Sequence, residues 1–279
     1  MFHLEKMETE DFQFAVELAK TMNWNMTIED FDFNKKLEPD GCFVLFHGQQ
    51  RVGVVTCVSY GRIGWFGNLI VNEVYRGKGA GTLLVKHAID YLKNSGVTTI
   101  GLYAYPHLAN FYGNLGFKYS ADFIVLKAET VSPIEVGKQI TPKKQDIPAL
   151  IEFDSQCFGA SRKKILTHIL LQKGNLCYIS AESGEINGYV AAKVYGELAE
   201  LGPLVCRGNR RDTAVTLLKT ALAKLKGLEV FMCMPAAEKA LLDTAARAGF
   251  REEFRVARMF LGSAVAENCV YIAESLERG

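Results

Sequence analysis

A mixed α/β fold in two tandem copies is what the sequence predicts, and three observations predict it. Apolar, β-branched runs alternate with stretches of helical periodicity along the chain. Three alternating glycines, Gly77, Gly79 and Gly81, separate one such run from one such stretch. The pattern then returns at an offset of 134 residues, from Arg76 to Arg210. At 279 residues the chain exceeds one typical domain, so two domains are expected.

The elements follow in order. Phe2 to Leu4 is a short apolar strand, and Thr9 with acids close behind marks a helix whose buried face is Ala15, Val16, Leu18, Ala19 and Met22. After Asn23-Trp24-Asn25-Met26, Thr27 and Asp30 have capping-box spacing, with Asp in place of the usual Glu or Gln, and open a second helix. Cys42 to His47 and Arg51 to Tyr60 form a hairpin around Gly48-Gln49-Gln50. Ile63 to Val71 is a mostly apolar strand. Past the glycines, Leu83, Leu84, Ala88, Tyr91 and Leu92 share one helical face that stops at Asn94-Ser95-Gly96. Val97 to Tyr105 is a strand ended by Pro106, then comes a short helix through Tyr112, and strands pair around Gly116-Phe117.

Between strand and helix, the glycine run makes a backbone cradle for phosphate. Glycines let consecutive N–H groups point one way, and the helix adds the positive end of its dipole. A P-loop would need Lys-Ser or Lys-Thr after the last glycine, and a dinucleotide fingerprint needs G-x-G-x-x-G with an acid about 20 residues on. Neither is present. What remains is R-x-x-G-x-G, from Arg76 through Gly79 to Gly81. It resembles the coenzyme A pyrophosphate loop of the GNAT superfamily of N-acyltransferases. Downstream, Tyr112-Gly-Asn-Leu-Gly116-Phe117 resembles the Y-x-x-x-G-F signature that closes the acyl-CoA site in that superfamily.

The resemblance implies a mixed-sheet GNAT domain with acetyl-CoA as cosubstrate. Backbone groups of Ile70 and Val71 would pair with its pantetheine arm. Arg76, Gly77, Lys78, Gly79, Ala80, Gly81 and Thr82 would hold the pyrophosphate, with Arg76 and Lys78 adding charge and Thr82 a hydroxyl. Tyr112 occupies the position of the tyrosine that protonates the leaving thiolate. A reference pKa of about 10 keeps such a tyrosine protonated at neutral pH. The other reading of Tyr112 is a core aromatic beside Phe111 and Phe117, which the motif match outweighs. Two departures stand out. The strand Ile63–Val71 lacks the Glu that many GNAT enzymes use as base, leaving Glu73 nearby in sequence and Asn68 able only to orient water, and Tyr105 replaces an Asn that contacts pantetheine in many relatives. Trp24, Asn25, Trp65, Tyr103 and Tyr105 sit on segments that flank the acceptor side of a GNAT cleft.

Pro133, Pro142 and Gly137 mark a linker over residues 130–141, dividing the chain into domains 1–129 and 142–279. In the second copy the glycine loop is gone. Gly77, Lys78, Gly79, Ala80 and Gly81 become Arg211, Asp212, Thr213, Ala214 and Val215, and Tyr112 becomes Ala245. Branched side chains and an acid where phosphates would lie predict a degenerate copy that does not bind CoA in the usual way. It serves either as a structural partner or as part of the substrate pocket. Asp154-Ser-Gln-Cys-Phe158-Gly159-Ala-Ser-Arg162 resembles an element in the second domain of some tandem GNAT proteins. Arg162 either pairs a substrate carboxylate or pairs Asp154.

Composition narrows the partners. With 32 basic against 31 acidic residues and no long basic block, neither nucleic acid nor an anionic membrane is favoured. Seven cysteines without regular spacing, and no apolar leader after Met1, suggest a reduced, cytoplasmic protein. Scattered histidines predict no metal site. The expected activity is acetyl-CoA-dependent N-acetylation of a primary amine on a small molecule or amino acid. A non-catalytic acyl-CoA sensor or scaffold, or an enzyme acting on protein amines, is the alternative. A fused repeat suits a monomeric pseudo-dimer, with a homodimer as the other choice.

Overall fold

The computed structural model describes every residue except 133–141, 143, 209 and 264–268. It divides into two compact units, Met1–Leu102 with Arg278, and Tyr103–Glu277 with Gly279. In the first unit β1 (Phe2–Lys6), β2 (Cys42–His47), β3 (Gln50–Ser59) and β4 (Ile63–Val71) pair antiparallel in that order. The next strand, β5 (Thr99–Ala104), lies parallel to β4, which requires a crossover, and α3 (Ala80–Asn94) supplies it. On one side α1 (Phe12–Lys20) and α2 (Ile28–Leu37) bury Phe12, Ala15, Val16, Ala19 and Phe31 against Val44, Val54 and Ile70.

Local chemistry explains the boundaries. The Thr27–Asp30 box forms as expected, with the Thr27 N–H donating to Asp30 Oδ2 at 2.8 Å. At the first helix the box instead joins Glu8 and Asp11, the Glu8 N–H donating to Asp11 Oδ2 at 2.7 Å, and Thr9 begins a 3-10 turn that leads into α1. The buried face of α3 is Leu84, Val85, Ala88, Ile89 and Leu92. Leu83, expected in it, is exposed, because it stands about 100° around the helix from Leu84. Tyr91 is half-buried and donates to Glu38 Oε1 at 2.6 Å.

The second unit contains α4 (Ala109–Gly113), β6 (Lys118–Ala128), α5 (Ile147–Phe158), α6 (Lys163–Leu171), β7 (Leu176–Glu182), β8 (Glu185–Tyr195) and β9 (Leu198–Arg207). It continues with α7 (Arg211–Lys224), β10 (Glu229–Pro235), α8 (Lys239–Arg247), β11 (Arg251–Gly262) and β12 (Cys269–Ile272). Its strands run β11-β6-β10-β9-β8-β7, with β12 paired to β9. By sequence β6 belongs to the first repeat, yet it pairs antiparallel with both β10 and β11 of the second. The boundary between compact units therefore falls at Leu102–Tyr103, ahead of the linker read from sequence. Most of that linker lies outside the described residues, and its start is held by the second unit, where the Ser132 N–H donates to the Ala248 carbonyl at 3.0 Å.

The two repeats share backbone detail. On β3 and β4, Thr56 faces Gly67 and Val54 faces Ile70, so two residues of β4 oppose one of β3. Ala192 facing Leu201 and Val190 facing Leu204 repeat that bulge on β8 and β9. Gly116 and Gly249, each at φ +94°, turn the chain after α4 and α8, a left-handed conformation that favours glycine.

Candidate active site

In the first unit β4 and β5 pair over three positions only, Ile63 with Thr99, Gly64 with Ile100 and Trp65 with Gly101. Beyond Trp65, among the described residues, no strand bonds that edge of β4. A strand edge without a partner exposes main-chain donors and acceptors. The bulge sits in this stretch. Asn68 adopts φ +49°, and its Nδ2 donates to Thr56 Oγ1 at 3.0 Å. Its amide nitrogen is thus engaged across the sheet rather than on solvent. The sequence also hid a lock at the last paired position. The Trp65 ring lies against Gly101, where a Cβ would overlap it. An isolated glycine within a β-branched run was the available signal.

At the end of β4 the chain makes a 3-10 turn, Glu73–Tyr75, capped by Asn72 Oδ1 accepting from the Val74 N–H at 3.1 Å. Gly77 at φ +72° and Gly79 at φ +84° then lead into α3. A Cβ at either would meet nothing within 4 Å, so glycine is required there for its φ, and the space over the loop is open. The Leu83 N–H bonds the Gly79 carbonyl at 3.0 Å. The first-turn N–H groups have no intrahelical carbonyl to bond, no side chain caps them, and they stand at the positive end of a 15-residue helix. Lys78 is exposed, its Nζ 5.8 Å from the Tyr75 ring centroid. Arg76 Nε donates to the Val71 carbonyl at 3.0 Å, so this guanidinium braces the strand end to the loop as well as bringing charge to it. Open space, uncapped helix N–H groups and two cations fit a pyrophosphate. Ile70 and Val71, expected beside the pantetheine arm, lie just before this loop.

Other expected residues are distributed differently. Trp24 is half-buried against the core beneath α1, and Asn25 is exposed in the turn that follows. Tyr103 and Tyr112 belong to the second unit. Tyr103 packs on Phe123 at 5.0 Å between ring centroids, and Tyr105 on Phe254 at 5.5 Å. Tyr112 is 6% exposed, edge-on to Phe111 and Phe117, and burial pushes its pKa up to about 12. The Phe117 N–H bonds the Tyr112 carbonyl at 3.1 Å, and Phe250 bonds Ala245 at the same distance. The turn survives in both repeats; the hydroxyl survives in one.

Arg162 corrects an expectation. Its side chain is fully buried, with Nε and Nη2 on the two Asp154 oxygens at 3.1 and 2.6 Å and Nη1 on the Gly279 carbonyl at 3.0 Å. The Tyr189 hydroxyl donates to Asp154 Oδ1 at 2.6 Å. A guanidinium so engaged and sealed from solvent holds the second unit together, and the substrate-carboxylate role is withdrawn. The second repeat also loses its cradle more completely than side chains alone imply. Arg211, aligned with Gly77, already begins α7, so residues that form a loop in the first repeat are helical in the second. Without glycines the segment has ordinary helix propensity. Asp212 lines the small cleft beside it, the wrong sign for phosphate. Among the described residues no group of three or more His, Cys, Asp or Glu could hold a metal ion, and no helix is long and apolar enough to cross a membrane.

Two family models match the chain: "Acetyltransferase (GNAT) family" over residues 4–117 and "Acetyltransferase (GNAT) domain" over 150–271. The chain carries two GNAT acetyltransferase domains in tandem. Solved GNAT structures agree along its length. A protein of Pyrococcus horikoshii to which acetyltransferase activity is ascribed is 20% identical with a TM-score of 0.79, over 100% of this chain and 96% of that one. A GCN5-related N-acetyltransferase of Sphaerobacter thermophilus is 14% identical, TM-score 0.70, over 93% and 95%. A tandem GNAT protein from the clavulanic acid biosynthesis pathway is 14% identical, TM-score 0.65, over 95% and 100%. A search of curated proteins returned no match. The GNAT fold implies acetyl-CoA binding in general.

Proposed function

We propose that the first GNAT repeat transfers the acetyl group of acetyl-CoA to a primary amine of a small molecule or amino acid. The observation that carries this reading is the loop Arg76–Thr82, with left-handed Gly77 and Gly79 opening α3, kept in one repeat and lost in the other. Acetyl-CoA supplies an acetyl group activated as a thioester. The uncapped N–H groups at the start of α3, with Arg76 and Lys78, hold its pyrophosphate, and the free edge of β4 at Ile70 and Val71 orients the arm. Tyr112 gives its proton to the departing thiolate. Burial keeps that proton in place across the physiological range. No carboxylate lies on β4, so the amine loses its proton to water before attack.

This assignment fixes the sign of a pH effect. An alkyl ammonium has a pKa near 10.4, so kcat/KM rises with pH as free amine appears. Tyr112 stays neutral until about pH 12, so no descending limb from the acid appears below about pH 11. For folding, a raised tyrosine pKa gives stability that is present below about pH 10 and lost as pH rises toward 12. Thiol release across a panel of amines is the test. Tyr112→Phe lowers kcat by about 10²-fold and leaves acetyl-CoA affinity unchanged. Unchanged turnover removes the acid role. Acetyl-CoA binding with no thiol release from any amine replaces the enzyme with a sensor, and turnover on peptide amines alone moves the acceptor to proteins.

A further inference from the structure

Among the described residues no strand bonds the edge of β4 past Trp65 in the first repeat, whereas the matching edge in the second repeat is filled by the chain itself. β9 and β10 pair in parallel over three positions, Leu198 with Glu229, Ala199 with Val230 and Glu200 with Phe231, in the register of β4 and β5 but displaced by one residue toward the bulge. Past the shared bulge the edge of β9 is taken by β12. Cys269 faces Arg207, Val270 faces Cys206, Tyr271 faces Val205 and Ile272 faces Leu204, all antiparallel. On the other side the Ala273 N–H donates to the Cys233 carbonyl of β10 at 2.9 Å. The segment therefore bonds both walls of the opening.

The slot is shaped for this occupant. A Cβ at Gly202, in the bulge, would overlap the Ala273 carbonyl oxygen. Next along the segment, Glu274 is 1% exposed and receives the Lys193 ammonium, which also bonds Glu200 Oε2 at 2.6 Å. A buried carboxylate with a buried ammonium anchors the segment just beyond the strand. Main-chain pairing supplies affinity without demanding particular side chains, and covalent attachment raises the effective concentration into the millimolar range.

We propose that the slot of the second repeat is a peptide-strand-binding site, occupied in cis by Cys269–Glu274 where the first repeat would take the acyl-CoA arm. The chain then binds one acyl-CoA. This inference rests on the first repeat being the cofactor site, and the two can fail separately.

Calorimetry with coenzyme A on the full chain reads the stoichiometry, and hydrogen exchange reads the segment. One site per chain is expected, falling to none in the double variant Gly77→Val, Gly79→Val. Two sites, or binding that survives in that variant, overturn the strand proposal. No binding to the wild-type chain overturns the first-repeat reading alone, because exchange still reports on the slot. The amides of Val270–Ala273 should exchange at least 100-fold slower than an unstructured peptide. Gly202→Ala should speed them at least tenfold with coenzyme A affinity unchanged. Lys193→Met tests the same docking from the anchor, should Gly202→Ala not fold. Fast exchange in the wild type, or full protection in both variants, overturns the proposal.

Discussion

Gly77 to Gly81 in the first repeat and Arg211 to Val215 in the second occupy matched positions after strands with the same bulge and a three-position parallel pairing in the same register. In the first segment left-handed Gly77 and Gly79 precede a helix that begins at Ala80, whereas the second is helical from Arg211 onward. The sheet frame is held by many main-chain bonds and survives divergence. The cradle depends on a few glycines and does not. A similar contrast appears at Tyr112 and Ala245, where one turn carries either a buried hydroxyl or a methyl group. Retained fold and retained chemistry are therefore separate quantities within one chain.

The largest effect should come from the buried ion pair of the second repeat. Arg162 stands at the start of α6, as Thr27 does at the start of α2, but it is buried on Asp154 rather than capping a helix. Arg162→Ala leaves a buried carboxylate without its partner and should cost about 3–5 kcal/mol in urea unfolding. Thr27→Ala should cost only about 1 kcal/mol. A loss for Arg162→Ala below that of Thr27→Ala would return the guanidinium to a surface role.

Much of the frame was legible because it is written locally. Ile63–Val71, the Ala80–Asn94 helix and the Thr27–Asp30 box follow from runs, periodicity and spacing within a few residues. What was not legible is long-range. The run Lys118–Ala128 reads as a strand, but nothing in it says that β10 of the other repeat is its neighbour. Asp154 and Arg162 left two pairings open, and only burial chose between them. The turn at Gly77 and Gly79 was legible because its left-handed residues lie within one short run of sequence. The Trp65–Gly101 contact was not, because it joins two strands 36 residues apart in sequence, from 65 to 101.

That contact gives the intermediate effect. The first repeat sets Trp65 against Gly101, while the matched pair in the second is Ala199 against Val230, so neither the large ring nor the glycine beneath it is kept. Gly101→Ala drives a methyl group into the buried indole and should cost about 1–3 kcal/mol by thermal unfolding. Because β4 loses its partner directly after this pair, acetyl-CoA affinity should fall as well. An unchanged melting temperature would mean that the ring moves aside freely, and that the lock does not set the opening.

The smallest and sharpest test acts on one backbone angle. Gly79 is at φ +84° with open space where a Cβ would go, so Gly79→Ala adds no clash and changes only the cost of the left-handed conformation, about 1–2 kcal/mol. In the free protein the exposed loop can relax, so the melting temperature should barely move. When bound, the loop must return to the cradle, and the cost appears as acetyl-CoA affinity weakened about 5- to 30-fold. Thr213, the matched residue, already lies in a helix, so Thr213→Gly should leave affinity unchanged. If Gly79→Ala binds as tightly as the wild type, the left-handed geometry is incidental and the cradle rests on the helix start and its cations instead.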